Sequence, residues 1–344
     1  MRKSACLIAG FLVMVMLLSN AMADSWQWRQ LYDSAQDSFR SGRVSQSLSM
    51  AKDSLRKADL EFGADSLYAL NSLVLLGDLT KAYGSYSESA RFYKRALDTQ
   101  QKLFGIAHPN NAALLNSLAS VNMNLGNIPE ASAQFSKAIE ISRLSGHGGD
   151  PCVADSLIGL ASLDRTANNH ELSEKNLVKA LSILDLYSKY KPSINLTIAN
   201  ARVSLADSLK AQAKYQDSAR QYRAAIKYFE TRGMASSGAV TECLIAMGDS
   251  YVSSGKKARA LDCFKRALVS SDSTDNMTTA LVSRRLAGIY RSMGNIPEAR
   301  RYLRQAVATL ETCSPSGCPL LADTQKSLKD LTERGKAKDG DTSA

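Results

Sequence analysis

The sequence predicts an all-α fold: an α-solenoid of about seven helix-turn-helix repeats that ends in a C-terminal capping helix. Three observations predict it, namely the composition, turn residues at a nearly constant spacing, and columns of small residues in register with those turns. The 344-residue chain is 44% hydrophobic and 22% charged, with only 7 prolines, which excludes a disordered chain, a collagen and a disulfide-dense miniprotein. Its length exceeds that of most single compact domains, so we expect two domains or a repeat array.

Residues 1–23 have the pattern of a secretory signal peptide. Arg2 and Lys3 precede an uncharged apolar run from Ala5 to Leu18, and an Ala-x-Ala site follows, with cleavage expected between Ala23 and Asp24. The alternative is an uncleaved membrane anchor, but this run rises only ~21 Å as a helix, against a hydrocarbon core of ~30 Å. We therefore expect an exported protein, periplasmic or secreted, with no stable membrane insertion after cleavage.

The chain is mildly basic. Its formal net charge is +10, and loss of the two cations of the signal peptide (10 − 2) leaves +8. Because export removes most reasons to interpret this charge as nucleic-acid binding, we expect no nucleic-acid partner.

Residues with turn character recur along the chain at spacings of 42, 42, 42, 45, 42 and 39 residues. They are Gly42, Gly84, Gly126, Asn168, Ala213, Gly255 and Gly294. Seven residues before each turn lies an alanine or a glycine: Ala35, Gly77, Ala119, Ala161, Ala206, Gly248 and Ala287. Two more columns, five and twelve residues after each turn, hold only serine and alanine. An arbitrary position would hold Ala or Gly only about one time in six, so the register is not chance.

These columns indicate pairs of packed helices. Two helices approach to about 8 Å only where small residues let their ridges interlock, so the small columns mark helix crossings. Each turn residue ends a first helix, and Pro129 and Pro297 stand in the first turn of a second helix, where a missing N–H costs little. We expect the repeat array to occupy residues 24–312.

The C-terminal region predicts a cap and a tail. Leu320 to Leu331 is a further amphipathic segment, which we expect to cover the last hydrophobic face of the array, so that 313–331 form a cysteine loop and a capping helix. From Thr332 to the end, residues 332–344 show no apolar period, and we expect them to be disordered.

Five cysteines remain after signal cleavage. Cys313 and Cys318 flank a Pro-Ser-Gly turn, so we expect a disulfide between them in an oxidising compartment, with a stabilisation of about 2 kcal/mol. The alternative is two free thiols. We expect Cys152, Cys243 and Cys263 to be unpaired.

The same positions resemble the tetratricopeptide repeats. The family pattern W-x2-L-G-x2-Y…A-x3-F is similar to the run of Leu73, Leu76, Gly77, Ser89, Tyr93 and Ala96. A 42-residue period is longer than the common 34 and resembles the kinesin-light-chain subtype, as does the segment from Gly105 to Ala119. The resemblance covers about residues 26 to 311.

The resemblance implies a non-catalytic scaffold that binds a peptide or a partner protein in a concave groove lined by the first helices. An alternative is a structural or assembly component of the cell envelope that contacts its partners by its flanks. A third possibility is a clamp for a C-terminal carboxylate, for which the chain offers Lys81 and Asn116 without the remaining basic pair nearby.

Positions three before, one after and four after the first small column should face such a groove. The residues we expect to contact a partner are Asn116, Met123, Arg165, Lys210, Arg284 and Arg291. Six arginines but only one acid, Glu298, lie between Leu281 and Arg304, which favours an acidic side chain or a terminal carboxylate as the ligand. The alternative is a solvated helix face that keeps the array soluble.

Catalysis is not predicted. The three histidines, His108, His147 and His170, have no paired carboxylate or cysteine at ligand spacing. The stretch from Gly146 to Gly149 is not followed by Lys-Ser/Thr, so it is not a phosphate-binding loop. We therefore expect no enzyme, no metal and no cofactor.

Overall fold

A computed structural model describes residues 25–234, 237–270, 276–313 and 318–340, without the side chains of 192, 313 and 334–340. Fifteen α-helices and the 3-10 turn Pro192–Ile194 occupy these residues and follow one another as helix-turn-helix pairs, which confirms the predicted all-α solenoid. The helices are α1 (25–40), α2 (Val44–Glu61), α3 (Leu67–Ala82), α4 (Tyr86–Phe104), α5 (Asn110–Asn124), α6 (Ile128–Leu144), α7 (Pro151–Thr166), α8 (His170–Ser188), α9 (Asn195–Ala211), α10 (Tyr215–Thr231), α11 (Gly238–Ser253), α12 (Lys257–Ser270), α13 (Asn276–Ser292), α14 (Ile296–Cys313) and α15 (Pro319–Gly340).

The chain divides into two compact units, Met1–Leu163 and Asp164–Ala344. In the first unit, the helices from α2 to α6 each pack on their neighbours in sequence. In the second unit, the helices from α8 to α15 do the same. This order of contacts is expected of repeats that bury their faces mainly on adjacent repeats.

The small residues lie at the helix crossings, as the columns predict. Every residue of the second and third small columns has zero relative exposure, and the first column is buried throughout. At Gly77 and Gly248 the crossing is so close that a Cβ atom would lie 2.7 Å from the ring of Tyr93 and of Phe264, respectively. In these two repeats a side chain at the first small column would overlap the ring of the second helix unless the ring shifted.

The seven predicted turns share one backbone conformation. Their residues have φ values between 58° and 79°, the left-handed region in which helices commonly end. In each turn, the residue that follows the left-handed one donates its N–H to the carbonyl five positions before it, at 2.8 or 2.9 Å. Ser85 donates to Thr80 in this way, and Lys256 donates to Tyr251. Each first helix thus ends in the same hydrogen-bonded cap, which sets the direction of the second helix.

The C-terminal helix differs from the expectation in its length. α15 packs against α14 and runs from Pro319 to Gly340, past the predicted end at Leu331. The prediction that the chain is disordered from Thr332 is therefore wrong as far as Gly340. Glu333, Lys336 and Ala337 have good helix propensity, and extending an existing helix costs far less than nucleating one, which offsets the poor propensity of Gly335.

Two predictions at the ends of the array are not supported by the structure. The signal peptide and its cleavage site between Ala23 and Asp24 lie outside the described residues. Cys318 is a free thiol here, and the side chain of Cys313 is not described, so the predicted disulfide stays a prediction. Across the described helices, none is both long and apolar enough to cross a membrane.

Candidate functional site

In the first unit, Asn116 and Met123 contribute to packing. The Asn116 amide donates to the backbone oxygen of Cys152 at 2.8 Å and accepts from the Ser156 hydroxyl at 2.6 Å, which ties α5 to α7. Met123 is half-buried against a small cluster that includes Phe135. Of these two predicted contact residues, Asn116 therefore already has hydrogen-bond partners for its amide within the unit.

In the second unit, Arg165 and Lys210 bridge first helices of successive repeats. Arg165 Nη1 lies 3.0 Å from Asp207 Oδ2, and Lys210 Nζ lies 3.7 Å from Asp249 Oδ2. Asp249 also accepts from Arg285, whose Nε and Nη2 lie 2.8 and 3.2 Å from its two oxygens. A cation of one repeat therefore meets an aspartate of the next, so these two predicted contact residues already have acidic partners.

The aspartates of these pairs share one position in the repeat, one residue after the first small column. Asp207 also accepts a hydrogen bond from the Tyr222 hydroxyl, and Asp78 accepts one from Tyr93 at the same spacing of 15 residues. Burial, and then the adjacent carboxylate, raises the pKa of both tyrosines well above the ordinary value. No individual role is predicted from the sequence for Tyr222, Arg285 or Asp249. The recurrence of Asp with Tyr 15 residues later was the signal that could have indicated the first.

Arg284 and Arg291 lie on α13 and line a cavity of about 150 Å³ between α13, α14 and α15. The other lining residues are Ala287, Gly288, Leu303, Ser327 and Leu331. Within the described parts of the chain, neither arginine forms an ion pair with a carboxylate. These two predicted contact residues are thus brought together, and they differ from Arg165 and Lys210 in having no acidic partner there.

Gly288 explains why this cavity exists. It occupies the position that holds Asp207 and Asp249 in the two preceding repeats, and a Cβ placed on it would have no heavy atom within 4 Å. Leu303 occupies the second-helix position of Tyr222. The repeat therefore lacks both the carboxylate and the phenol that fill the fifth repeat.

The histidines serve local structure. His108 Nδ1 lies 3.2 Å from the Asn110 backbone nitrogen at the start of α5, and His147 Nδ1 lies 2.8 Å from the Ser145 oxygen. His170 is half-buried at the start of α8. Among the residues that the structure describes, no group of His, Cys, Asp or Glu could hold a metal ion.

Three cysteines are unreactive thiols rather than nucleophiles. Burial raises the pKa of Cys243 to about 12 and those of Cys152 and Cys263 to about 11. The thiolate, which is the nucleophilic form, is therefore scarce at neutral pH. These side chains act in packing.

Family models decide the identity of the fold. Models described as tetratricopeptide repeat match residues 110–185, and residues 70–110 and 279–312. The chain contains tetratricopeptide repeats. The matched segments cover α5 to α8 together with parts of other repeats, including most of α13 and α14. Tetratricopeptide repeats are typically non-catalytic, and no catalytic family matches this chain.

Solved structures show the same fold at low sequence identity. BtubC (BKLC) from P. vanneervenii is 18% identical with a TM-score of 0.55, and the match covers 70% of this chain and 90% of that one. A tetratricopeptide repeat protein from Parabacteroides merdae is 17% identical with a TM-score of 0.50, over 89% of this chain and 99% of that one. Kinesin light chain repeats from Podosopora anserina are 16% identical with a TM-score of 0.48, over 58% and 94%. The similarity to kinesin-light-chain-like proteins is distant. No curated protein matches this chain.

Proposed function

We propose that this tetratricopeptide repeat protein is a non-catalytic scaffold of the cell envelope or secreted space that binds an acidic segment of a partner protein. Tetratricopeptide repeats generally bind proteins or peptides. The observation that carries the proposal is the pair Arg284 and Arg291, which share one cavity without an acidic partner among the described residues. A guanidinium group is suited to carboxylates because its N–H groups can bind both oxygens at once.

The neighbouring cations differ from this pair. Arg285 is held by Asp249, Arg300 donates to the backbone oxygen of Leu331 at 2.8 Å, and Arg301 lies 3.0 Å from Glu298. The positive charge of the α13–α14 region is therefore partly neutralised inside the fold. Arg284 and Arg291 are the cations of this cavity that an external carboxylate would neutralise.

A second candidate function is the assembly component that contacts partners by its flanks. Large hydrophobic side chains are exposed on second helices, among them Leu60 at 79%, Leu144 at 70% and Val269 at 86% relative exposure. Covering such a side chain with an apolar surface of a partner would be favourable, because it removes apolar area from water. This alternative would be supported if partner capture survives substitution of Arg284 and Arg291 but is lost when the exposed hydrophobic residues are substituted.

A pull-down from envelope extract with mass spectrometry tests the scaffold. The variant Arg284→Ala/Arg291→Ala should keep its fold and lose the partner, and capture by the wild type should weaken as salt rises, because salt screens exposed charges. The matched control is Arg91→Ala/Arg304→Ala, which removes the same charge at exposed positions outside the cavity and should retain the partner. Equal recovery of the same partners by both double variants would exclude the arginine pair as the site.

Export is the second part of the proposal, and the sequence pattern of residues 1–23 supports it. The intact mass of the protein recovered from its native host should correspond to a chain that begins at Asp24. A membrane-bound form that retains Met1 would contradict export by this route.

A further inference from the structure

The strongest unused feature of the molecule is an interruption in an internal series of ion pairs. In the fifth repeat, Asp207 binds Arg165 of the preceding first helix, and in the sixth, Asp249 binds Lys210 in the same way. Both aspartates lie one residue after the first small column. Each cation thus binds an aspartate of the following first helix. Arg291 occupies the cation position of the seventh repeat, and the helix that follows there is α15.

At Arg291 the cation of this series persists, but α15 contributes Ser327 and Leu331 to the cavity and no carboxylate. Arg291 stands at the position of Arg165 and Lys210 in its repeat, and Arg284 stands seven residues before it on the same helix. Both line the cavity that adjoins Gly288. The fold thus retains cations at a site from which the acidic side chain of the earlier repeats is missing.

The cavity is suited to an acidic side chain rather than to a simple ion. Its volume of about 150 Å³ exceeds what one water needs, which is roughly 10–15 Å³ on the same measure. Leu303 and Leu331 supply apolar surface, and Ser327 adds a hydroxyl. Methylene groups next to a carboxylate would contact these leucines, whereas inorganic anions have no such groups.

We infer that the Gly288 cavity receives an aspartate or glutamate side chain of a partner protein, which supplies from another molecule the carboxylate that Asp207 and Asp249 supply within the chain. This inference rests on the proposed scaffold function and specifies the chemical group that its second unit recognises. The nearby acid Glu298 is already paired with Arg301. Asp323 and Asp330 of α15 are exposed and do not line the cavity.

The sharpest test is to place a carboxylate within the chain beside the two arginines. Gly288 has a helical backbone with ordinary φ and open space around its Cβ position, so it accepts a side chain without strain. Gly288→Asp should place a carboxylate beside Arg284 and Arg291 and so compete with the ligand. Gly288→Ala is the matched control, because it adds a Cβ without charge.

The probe is the peptide acetyl-Leu-Glu-Glu-Leu-amide, and its binding is measured by ligand-observed NMR or calorimetry. The wild type should bind it about tenfold or more tightly than the glutamine analogue, since bonds between charged groups are the stronger ones. Gly288→Asp should lose this preference and Gly288→Ala should keep it. Retained preference in Gly288→Asp, or its loss in Gly288→Ala, would overturn the inference.

A second arm separates the two sources of a carboxylate. The peptide acetyl-Leu-Gln-Gln-Leu with a free C-terminus should bind no better than its amide. If it binds as tightly as the glutamate peptide, the cavity selects a chain terminus and the side-chain inference is wrong.

The same data distinguish this inference from the scaffold proposal. If the peptides show no carboxylate preference while Arg284→Ala/Arg291→Ala still abolishes partner capture, the cavity inference fails and the scaffold stands. If the partner is captured regardless of these arginines while the peptides bind as expected, the arginine pair is not the main docking site of the proposed scaffold.

Discussion

The hydroxyl of Tyr222 donates a hydrogen bond to Asp207 Oδ1, while Arg165 Nη1 lies 3.0 Å from the other oxygen of the same carboxylate. One aspartate on α9 therefore contacts both α7 and α10. The Tyr222 ring is buried at 1% relative exposure, so its hydroxyl would be poorly solvated without this partner.

Removing this hydroxyl should destabilise the protein. Tyr222→Phe keeps the buried ring but takes one hydrogen bond from a charged acceptor, so the free energy of unfolding should fall by about 1–2 kcal/mol. Urea titration of both proteins measures the difference. Tyr190→Phe is the control, because Tyr190 is 87% exposed and its change should have little effect. An equal effect of the two substitutions would mean that the Tyr222–Asp207 bond adds nothing.

Two glycines in first helices of successive repeats should respond oppositely to alanine. At Gly248 a Cβ would lie 2.7 Å from the Phe264 ring, so Gly248→Ala should overpack the crossing and cost about 1–3 kcal/mol. At Gly288 there is open space, so Gly288→Ala should stabilise by up to about 1 kcal/mol through helix propensity. Thermal unfolding of both variants checks this. The same direction of shift in both would contradict the packing described at Gly248.

Ala213 carries local backbone strain that glycine should relieve. It has φ 58° in the turn after α9, where most other repeats hold glycine. An L-residue with a Cβ pays about 1 kcal/mol in this region, partly offset by the greater flexibility of glycine in the unfolded chain. Ala213→Gly should therefore raise the free energy of unfolding by about 0.5 kcal/mol.

The reciprocal substitution is the control for this prediction. Gly255→Ala places a side chain at φ 73° in the equivalent turn of the next repeat. It should destabilise the protein by about 1 kcal/mol. If Ala213→Gly lowers the melting temperature, as Gly255→Ala should, then backbone strain at Ala213 does not reduce the stability of the protein.

The buried thiol of Cys243 should make the folded protein less stable at alkaline pH. Burial raises its pKa in the folded protein to about 12, above the ordinary 9.0, so between these values the unfolded chain loses a proton that the folded chain keeps. Stability from this thiol is complete well below pH 9 and declines as the pH rises toward 12, with a loss on the order of 1 kcal/mol at pH 10.

The measurement compares urea unfolding at pH 8 and pH 10 under reducing conditions. Cys243→Ala is expected to lose less stability than the wild type over this interval, by on the order of 1 kcal/mol, whatever its stability at pH 8. Tyr93 and Tyr222 titrate in both proteins and so do not affect the difference. Identical pH dependence of the two proteins would show that the Cys243 thiol is solvated in the folded state.

Local features of the chain were sufficient to predict the helix pairs and their crossings. Gly84 and Gly126 end helices because a left-handed residue is cheapest as glycine, and Ala96 and Ala138 lie at crossings because only small residues permit close approach. Both requirements act within a few residues and repeat every 42, so they are visible without any tertiary information. The same periodicity placed Arg284 and Arg291 on one helix face.

Only the tertiary structure decided which of the predicted contact residues have acidic partners. Arg165 and Lys210 appear equivalent to Arg291 in the repeat pattern, yet the first two lie 3.0 and 3.7 Å from aspartates of the next repeat. An ion pair depends on the approach of two side chains to within about 4 Å, and this distance depends on how adjacent repeats pack. For the same reason, the cavity beside Gly288 could not be inferred from the amino-acid sequence. It exists because α15 covers α13 and α14 at a point where the chain provides neither a carboxylate nor a tyrosine ring.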